Sequence, residues 1–159
     1  MRGAAPRAGY FLLRGQKKVT EEKETPVPRR YAVPCVAHLV RRLRTTFPLA
    51  RLFAMYGLTE AFRSTFLDPA LIDSHPTAMG SAIPHAEVLV IGDDGQETAP
   101  DEEGELVHCG PLVAQGYWQD AARTAERFRP APAASRYGGM AVWSGDRVRR
   151  DADGLLYFV

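Results

Sequence analysis

The stretch FAMYGLTEAF, residues 53–62, contains the most chemically informative residues of this chain. A short apolar run stops at Gly57, and a hydroxyl at Thr59 and a carboxylate at Glu60 follow directly. A glycine lets backbone approach a ligand closely, and a hydroxyl beside backbone N–H groups can bind phosphate oxygens. Mg²⁺ takes one or two carboxylates plus phosphate oxygens, and an aromatic face such as Tyr56 can stack on a base. An ordinary turn after a strand explains the same residues, and on chemistry alone the turn is favoured.

The composition is typical of one globular domain or of a piece of a larger one. The chain has 159 residues, of which 45% are hydrophobic and 25% charged, a balance that argues against disorder. No apolar run approaches the roughly 18 residues of a membrane helix, and the N-terminus lacks the apolar centre of a secretory signal. Cys35 and Cys109 make no disulfide framework. We therefore predict free thiols, no membrane span and a cytoplasmic location.

Charge is divided unevenly along the chain. Residues 1–51 carry twelve Lys and Arg against three Glu, whereas residues 52–159 carry eight Arg against sixteen acids. A basic half can bind nucleic acid or a membrane surface. This one lacks interleaved aromatic residues and any DNA-binding motif, so we favour a solvated helix face plus a loose tail, without a nucleic-acid partner.

The first half predicts one helix and one strand after an irregular start. Residues 1–30 show no sustained periodicity, and GQKKVTEEKETPVPRR (15–30) is polar, charged and proline-marked. We therefore expect residues 1–32 to be an irregular or mobile tail. A run with helical spacing then ends at Pro48, and ARLFAMY, residues 50–56, is predicted to be a buried strand. The apolar face of that helix comprises Val36, Leu39, Val40, Leu43 and Phe47.

The second half predicts a small barrel or sandwich of short strands. Asp-Gly turns are expected at Asp94-Gly95 and Asp153-Gly154. One helix is expected over DAARTAERF (120–128), with Asp120 as its N-cap. Its apolar face would comprise Ala121, Ala125 and Phe128. We expect PAPAASRYGG, residues 130–139, to be a flexible loop. The predicted strands are AEVLVI (86–91), GELVHCG (104–110), LVAQGYW (112–118), MAVWSGDRVRRD (140–151) and LLYFV (155–159).

A second candidate for chemistry is SGDRVRRDADG, residues 144–154. A carboxylate at Asp146, following the end of an apolar run, could accept hydrogen bonds from the two hydroxyls of a ribose. A turn aspartate that bonds its own backbone is the alternative, and it is favoured for this motif taken alone. The histidines and cysteines have no spacing of the kind that forms a zinc cage.

Three motifs together resemble successive signatures of the AMP-forming adenylate ligases, which include acyl-CoA synthetases, luciferases and the adenylation domains of peptide synthetases. The motifs are YGLTE (56–60), GELVHCGPLVAQGYW (104–118) and WSGDRVRRDADGLLYFV (143–159), in the family's order and spacing. The resemblance covers roughly residues 33–159. YGLTEAFRSTFL (56–67) and IPHAEVLVI (83–91) look most like acyl-CoA ligases, among them those associated with exosortase systems.

The resemblance implies an activity and a role for each motif residue. Such enzymes join a carboxylic acid to the α-phosphate of ATP, and the thiol of CoA then attacks the acyl-adenylate. Tyr56 would lie against the adenine, with Gly57 beside it as a further nucleotide-binding residue. Thr59 would bind the phosphate and Glu60 would hold Mg²⁺, both as catalytic residues, and Asp146 would bind the ribose. The implied cofactors are ATP or AMP, Mg²⁺ and CoA, and the partners are a nucleotide and a carboxylic-acid substrate.

The resemblance also implies an α/β fold that forms part of a large N-terminal domain. We expect an end of the α/β subdomain over residues 33–76, with one helix and strand, and a small β-barrel subdomain with one or two helices over residues 77–159. The family's lysine-bearing phosphate loop, its hinge and its C-terminal domain have no counterpart here, and Cys109 stands where the family often has arginine. We therefore expect a fragment that is inactive alone and that self-associates through the apolar edges LARLFAMY (49–56) and LLYFV.

Two other functions remain open from the sequence. An amino-acid-activating adenylation domain has the same nucleotide motifs, and the acid pocket that would separate it from an acyl-CoA ligase lies largely upstream of them. A non-catalytic, β-rich interaction module that binds anions through the basic first half belongs to another class. Salt-dependent nucleic-acid binding would support the module.

Overall fold

The computed structural model describes residues 32–159, with side chains from Ala37 onward. Nearly all of the predicted tail, residues 1–32, lies outside the described residues. Pro34–Val159 form one compact unit, and within it the predicted boundary between residues 76 and 77 stays a prediction.

The predicted helix is present, with a less buried face than its sequence pattern indicates. Helix α1 spans Ala32–Thr46, so it begins before Val36 and ends ahead of Pro48. Val40 is buried against Leu67 and Ile72. In contrast, Leu39 is 57% exposed, and the expected apolar face is only partly covered.

The buried strand predicted over residues 50–56 is wrong in both length and burial. Strand β1 spans only Ala54–Tyr56, and Met55 is exposed. The reason is its place in a small antiparallel sheet, β1-β2-β3, where β1 is an edge strand paired only with β2. Strand β2 spans Thr65–Leu67 and β3 spans Ser81–Ala82.

The remaining strands form a five-stranded antiparallel sheet in the order β4-β5-β7-β6, with β8 also paired to β7. The long strand β7 has β5 along one edge and β6 and β8 along the other, near its two ends. The strands are β4 (Glu87–Ile91), β5 (Glu103–Cys109), β6 (Phe128–Pro130), β7 (Met140–Arg150) and β8 (Leu156–Phe158). The predicted barrel is thus an open, curled sheet.

The two sheets are joined through Gly80, which forms an antiparallel bridge with Leu156. Leu156 N donates to Gly80 O at 3.0 Å, and Met79 N donates to Leu156 O at 2.7 Å. Gly80 has φ +82°, and a Cβ there would fall 1.9 Å from the carbonyl oxygen of Phe66. Only glycine fits this junction, because any side chain would meet backbone that cannot move aside.

The segment LVAQGYW is not a strand, contrary to the sequence prediction. It is irregular, and Val113 makes one isolated bridge, to Ala61. Its glycine explains part of this, because Gly116 has φ +138°, outside the strand region. The segment instead lies against the turn that carries Glu60, where Ala114 N donates to Glu60 O at 2.8 Å.

The helix after this segment is confirmed. Helix α2 spans Ala121–Arg127, and the carboxylate of Asp120 caps it by accepting from Arg123 N at 3.0 Å. The predicted apolar face is wrong, because α2 buries none of its residues and Phe128 is buried as the first residue of β6.

The loop over residues 130–139, predicted to be flexible, is fastened to β4 by polar contacts. The Ser135 hydroxyl donates to the Glu87 carboxylate at 2.5 Å, and the Arg136 guanidinium lies 3.3 Å from the same group. Gly138 and Gly139 both have positive φ, which turns the chain back into β7.

The core of the larger sheet has two sides, because β4 and β5 are buried on both faces. Alternate residues go to opposite sides, as a strand requires. One cluster contains Val88, Val90 and Leu106, and the other contains Leu89, Ile91, Val107 and Cys109. Leu155 and Leu156 are buried too, so the predicted apolar edge LLYFV is exposed only at Phe158 and Val159.

Replacing Leu106 with alanine is expected to destabilise the protein strongly, because this side chain is 0% exposed in the centre of the sheet. Leu106→Ala should lower the free energy of unfolding by about 2–5 kcal/mol in urea denaturation. Leu49→Ala is the matched control, since Leu49 is 98% exposed and its truncation should have little effect. Equal losses for both variants would contradict the described core.

The exposed apolar residues beside β1 predict self-association. Leu49, Phe53, Met55 and Phe62 are all exposed large apolar side chains within one short stretch of chain. Sedimentation velocity at rising concentration is expected to show dimers or larger species, which the double substitution Phe53→Ser, Met55→Ser should reduce. A wild-type chain that stays monomeric throughout would rule this out.

Candidate functional site

A bulge in β7 positions the carboxylate of Asp146. Val107 pairs with Trp143 and Glu105 pairs with Arg147, so β7 places three residues opposite a single residue of β5. Gly145, with φ +74°, lies in the middle of the bulge, and its N–H donates to the Glu105 carboxylate at 2.9 Å. Bulges redirect side chains and are frequent beside active sites.

Ser144 and Arg127 hold the bulge in place. The buried Ser144 hydroxyl donates to Leu106 O at 2.7 Å and accepts from Asp146 N at 3.0 Å. Arg127, the last residue of α2, donates to Ser144 O at 2.6 Å. These contacts satisfy the backbone groups that the interrupted strand pairing leaves open.

The Asp146 side chain faces the other conspicuous motif instead of its own backbone. Its carboxylate accepts a hydrogen bond of 2.5 Å from the hydroxyl of Tyr56, which is 90 residues away in the chain. Burial, followed by the hydrogen bond to Asp146, raises the pKa of Tyr56 well above its usual range. The phenol therefore stays protonated and acts as a donor.

The ring of Tyr56 lies between two other rings. Its centroid is 6.0 Å from that of His108, with the planes 26° apart, and 5.6 Å from that of Phe158, edge to face. One face of Tyr56 is thus covered by the imidazole. A planar ligand would have to approach the opposite face or the edge.

Thr59 and Glu60 occupy the centre of a tight turn. Leu58 and Ala61 exchange two backbone hydrogen bonds, of 3.0 and 3.3 Å, and so close a two-residue loop. Thr59 is exposed and Glu60 is half-buried. The turn that the sequence offers as an ordinary explanation is therefore present, and it carries the hydroxyl and the carboxylate on consecutive residues.

Gly57 is required by this turn itself. A Cβ on Gly57 would fall 2.2 Å from the backbone nitrogen of Arg63, a distance that no side chain tolerates. The close approach that the sequence analysis assigned to a ligand is made here by the chain's own backbone. Gly57 also lines a cavity of about 320 Å³ together with Tyr56 and Thr59, and its other lining residues are Met55, Leu58, Phe62 and Arg63.

The Glu60 side chain accepts a hydrogen bond from the hydroxyl of Tyr117. Burial, then the bond to Glu60, raises the pKa of Tyr117 to about 12. Among residues 32–159 no Lys, Arg or His forms an ion pair with Glu60. The described residues contain no group of three or more His, Cys, Asp or Glu that could hold a metal. One carboxylate with an oxygen to spare nevertheless fits Mg²⁺ when phosphates supply further ligands.

His108 is a buried histidine with no polar partner. Its side chain is 0% exposed, and neither ring nitrogen has a hydrogen-bond partner within the described part of the chain. Burial lowers its pKa to about 4, although the negative charges of Asp146 and Glu60 act in the opposite direction.

The structure thus joins Tyr56 to Asp146 and places Gly57, Thr59 and Glu60 on the adjoining turn. Four residues that organise this arrangement have no role predicted from the sequence: His108, Tyr117, Arg127 and Ser144. Three of them lie within the quoted signatures, and Tyr117 stands in the GYW triplet that was interpreted as strand. No helix in the described range is long and apolar enough to cross a membrane.

A fold of this kind occurs in enzymes that form adenylates. The chain superposes with a TM-score of 0.67 and 36% identity on PA1221, an NRPS protein containing adenylation and PCP domains, covering 77% of this chain and 26% of that one. VinN is similar, with a TM-score of 0.65, 34% identity and coverage of 76% and 29%. O-succinylbenzoate coenzyme A synthetase from Bacillus subtilis, at 24% identity and a TM-score of 0.63, shares the fold.

The sequence comparisons assign the family. Residues 4–118 match the profile of the AMP-binding enzymes, and the match extends into residues 1–32, where the motifs alone indicate no resemblance. The chain belongs to this family, the AMP-forming adenylate ligases. It is 33% identical over 120 residues to a D-alanine--D-alanyl carrier protein ligase of Lacticaseibacillus rhamnosus, which is 73% of this chain and 23% of that protein. It is 36% identical over 106 residues to a long-chain-fatty-acid--CoA ligase of Salmonella typhimurium, with coverage of 65% and 17%.

The chain therefore spans about a quarter or less of the length of these two relatives. The activity that each relative is named for belongs to a protein much longer than this chain.

The unpartnered His108 predicts a distinct loss of stability in acid. The pKa of His108 is lowered from 6.5 to about 4 in the folded protein. Between these pH values the unfolded chain binds a proton that the folded protein does not. The free energy of unfolding is therefore fully retained above pH 6.5 and decreases as the pH falls toward 4. His108→Leu should remove about 3 kcal/mol of this pH dependence in urea denaturation between those values. At pH 7 the variant should be as stable as the wild type or more so, because no hydrogen bond is broken.

His38→Leu is the control, because His38 is exposed on α1. It should leave the acid dependence as it is in the wild type. If the free energy of unfolding of the His108 variant fell with pH as steeply as that of the wild type, the pKa of His108 would not be lowered in the folded protein.

Proposed function

We propose that this chain provides the adenine, ribose and Mg²⁺ corner of an AMP-forming acyl-CoA ligase. The observation that carries the proposal is the hydrogen bond of 2.5 Å between Tyr56 and Asp146, which joins the first and last of three family motifs. A chance pair of turn residues would have no reason to meet across 90 positions of sequence. Because Asp146 faces Tyr56, a nucleoside against the ring would bring its ribose hydroxyls toward that carboxylate.

Asp146 has the acceptor capacity for this role. A carboxylate has about four lone-pair positions, and the Tyr56 hydroxyl takes one of them on Oδ2. Two hydroxyls on adjacent carbons can use the others, in charge-assisted hydrogen bonds. The tyrosine hydroxyl and the bulge hold the carboxylate in position before the ligand arrives, which reduces the entropy lost on binding.

The turn at Thr59 and Glu60 fits the phosphate end of the same ligand. The exposed Thr59 hydroxyl can donate to a phosphate oxygen, and the Glu60 carboxylate can hold Mg²⁺. When bound, Mg²⁺ neutralises charge on the phosphate oxygens. The described residues contribute positioning and electrostatic stabilisation, and none of them is placed as a nucleophile.

An acyl-CoA ligase is the preferred member of the family, with a carboxylic acid and CoA as its other substrates and the cytoplasm as its location. YGLTEAFRSTFL and IPHAEVLVI support this choice, and the same stretches support the subgroup associated with exosortase systems. Identity of 36% to a long-chain-fatty-acid--CoA ligase is in keeping with it. We further propose that the chain binds nucleotide but forms no acyl-adenylate alone.

A ligase that activates an amino acid is the second candidate. The matches to D-alanine--D-alanyl carrier protein ligases cover 73% of this chain in one case, more than the 65% covered by the Salmonella CoA ligase. The two candidates predict the same nucleotide corner and differ in the acid. Pyrophosphate exchange with decanoate and with D-alanine separates them in a protein that contains the full family length.

Nucleotide binding by this chain is the direct test. Isothermal titration with ATP and MgCl₂ should detect binding, and Asp146→Asn should weaken it about tenfold or more, because the charge that strengthens the ribose hydrogen bonds is lost. Asp153→Asn is the matched control, since Asp153 is exposed in the turn before β8.

Loss of affinity only in the Asp146 variant, with unaltered thermal melting, supports the proposal. Equal ATP affinities of the wild type and Asp146→Asn would show that Asp146 does not bind the ribose. Binding of single-stranded DNA that weakens steeply with salt, without any binding of ATP, would favour the non-catalytic module instead.

A further inference from the structure

Tyr117 and Glu60 form a contact whose two sides are fixed separately. Glu60 is held by its turn, and its carbonyl oxygen accepts from Ala114 N at 2.8 Å. Tyr117 N donates to the Thr124 hydroxyl at 2.9 Å, and this hydroxyl donates to Asp120 O at 2.7 Å. The phenol is therefore placed by the capped start of α2.

Packing fixes the direction of the Tyr117 ring as well. Its centroid lies 5.6 Å from that of the buried Phe128, with the planes at 86°. Gly116, just before it, approaches Thr124 so closely that a Cβ would lie 2.7 Å from the threonine methyl group. The contact with Phe128 and the close backbone approach at Gly116 favour the ring orientation in which the hydroxyl reaches Glu60.

The hydrogen bond makes the two oxygens of Glu60 unequal. The hydroxyl of Tyr117 donates to Oε1, while Oε2 accepts no hydrogen bond from the described residues. A cation that approaches this carboxylate therefore meets one oxygen, Oε2, that no donor of the described residues occupies. Carboxylates bind Ca²⁺ through one oxygen or two, in flexible geometry, whereas Mg²⁺ demands near-ideal octahedral geometry at shorter distances.

We propose that Tyr117 is a positioning residue that presents Glu60 as a one-oxygen ligand and thereby favours Mg²⁺ over Ca²⁺ at the nucleotide site. The inference rests on the proposed function, because Glu60 acts here as the metal ligand beside the phosphates. Groups that orient a metal ligand typically change metal affinity about 10- to 100-fold when they are removed. For Tyr117 this effect falls on Mg²⁺, which tolerates little change in geometry.

The test compares two cations with one nucleotide. The affinity for ATP is measured by isothermal titration in MgCl₂ and in CaCl₂ for the wild type, Tyr117→Phe and Tyr137→Phe. Phenylalanine at position 117 keeps the ring contact with Phe128 and removes only the hydroxyl. Tyr137 is an exposed tyrosine in the loop before β7, so its substitution controls for the loss of a phenol.

The wild type should bind ATP more tightly with Mg²⁺ than with Ca²⁺. Tyr117→Phe should lose about 10- to 100-fold in the Mg²⁺ affinity and far less in the Ca²⁺ affinity, and Tyr137→Phe should match the wild type. Equal losses with both cations, or no loss, overturn the inference and leave the proposed function in place. A wild type that shows no preference for Mg²⁺ overturns it without any variant. A wild type that binds no ATP with either cation overturns the proposed function, and this inference with it.

Discussion

The hydrogen bond from Tyr56 to Asp146 is the contact on which the candidate site depends. It ties the edge strand of the small sheet to the middle of the longest strand of the large one, at 2.5 Å. The β7 bulge makes the contact possible, since an unbroken ladder would keep Asp146 in regular alternation with its neighbours. Ser144, Gly145 and Arg127 each satisfy or relieve one part of that bulge. The position of the Asp146 carboxylate thus depends on a local departure from regular sheet structure.

The sequence predicts the elements with strong periodicity or clear turn residues. Helix α1, the capped helix α2 and the Asp-Gly turns are all present, because the residues that specify them are neighbours in the chain. Burial was less predictable. The apolar character of ARLFAMY predicts burial, yet β1 has a single partner strand and Met55 is exposed. An apolar run indicates that a segment can be buried, while the neighbours available in space determine whether it is.

The residues of the candidate site also fall into two groups, those that stand in a compact motif and those that are placed by a distant partner. Tyr56, Thr59, Glu60 and Asp146 could be selected from the sequence because each stands in a compact motif. Tyr117 and His108 could not be assigned a role, because each acquires its place through a partner far along the chain: Tyr117 meets Glu60 across 57 positions. Gly57 is instructive in another way. From the sequence, a glycine at position 57 indicates only that some group approaches the backbone closely. The structure shows that this group is the backbone of Arg63.

Both polar contacts of the site join residues far apart in sequence, 90 positions for Tyr56 and Asp146 and 57 for Glu60 and Tyr117. Contacts of this separation require long loops to close, which costs chain entropy and slows folding. Neither half of the chain could assemble such a site while it emerges from the ribosome. Nucleotide affinity would then report on completed folding of the whole unit, and a partly folded chain would carry all four motif residues without a site.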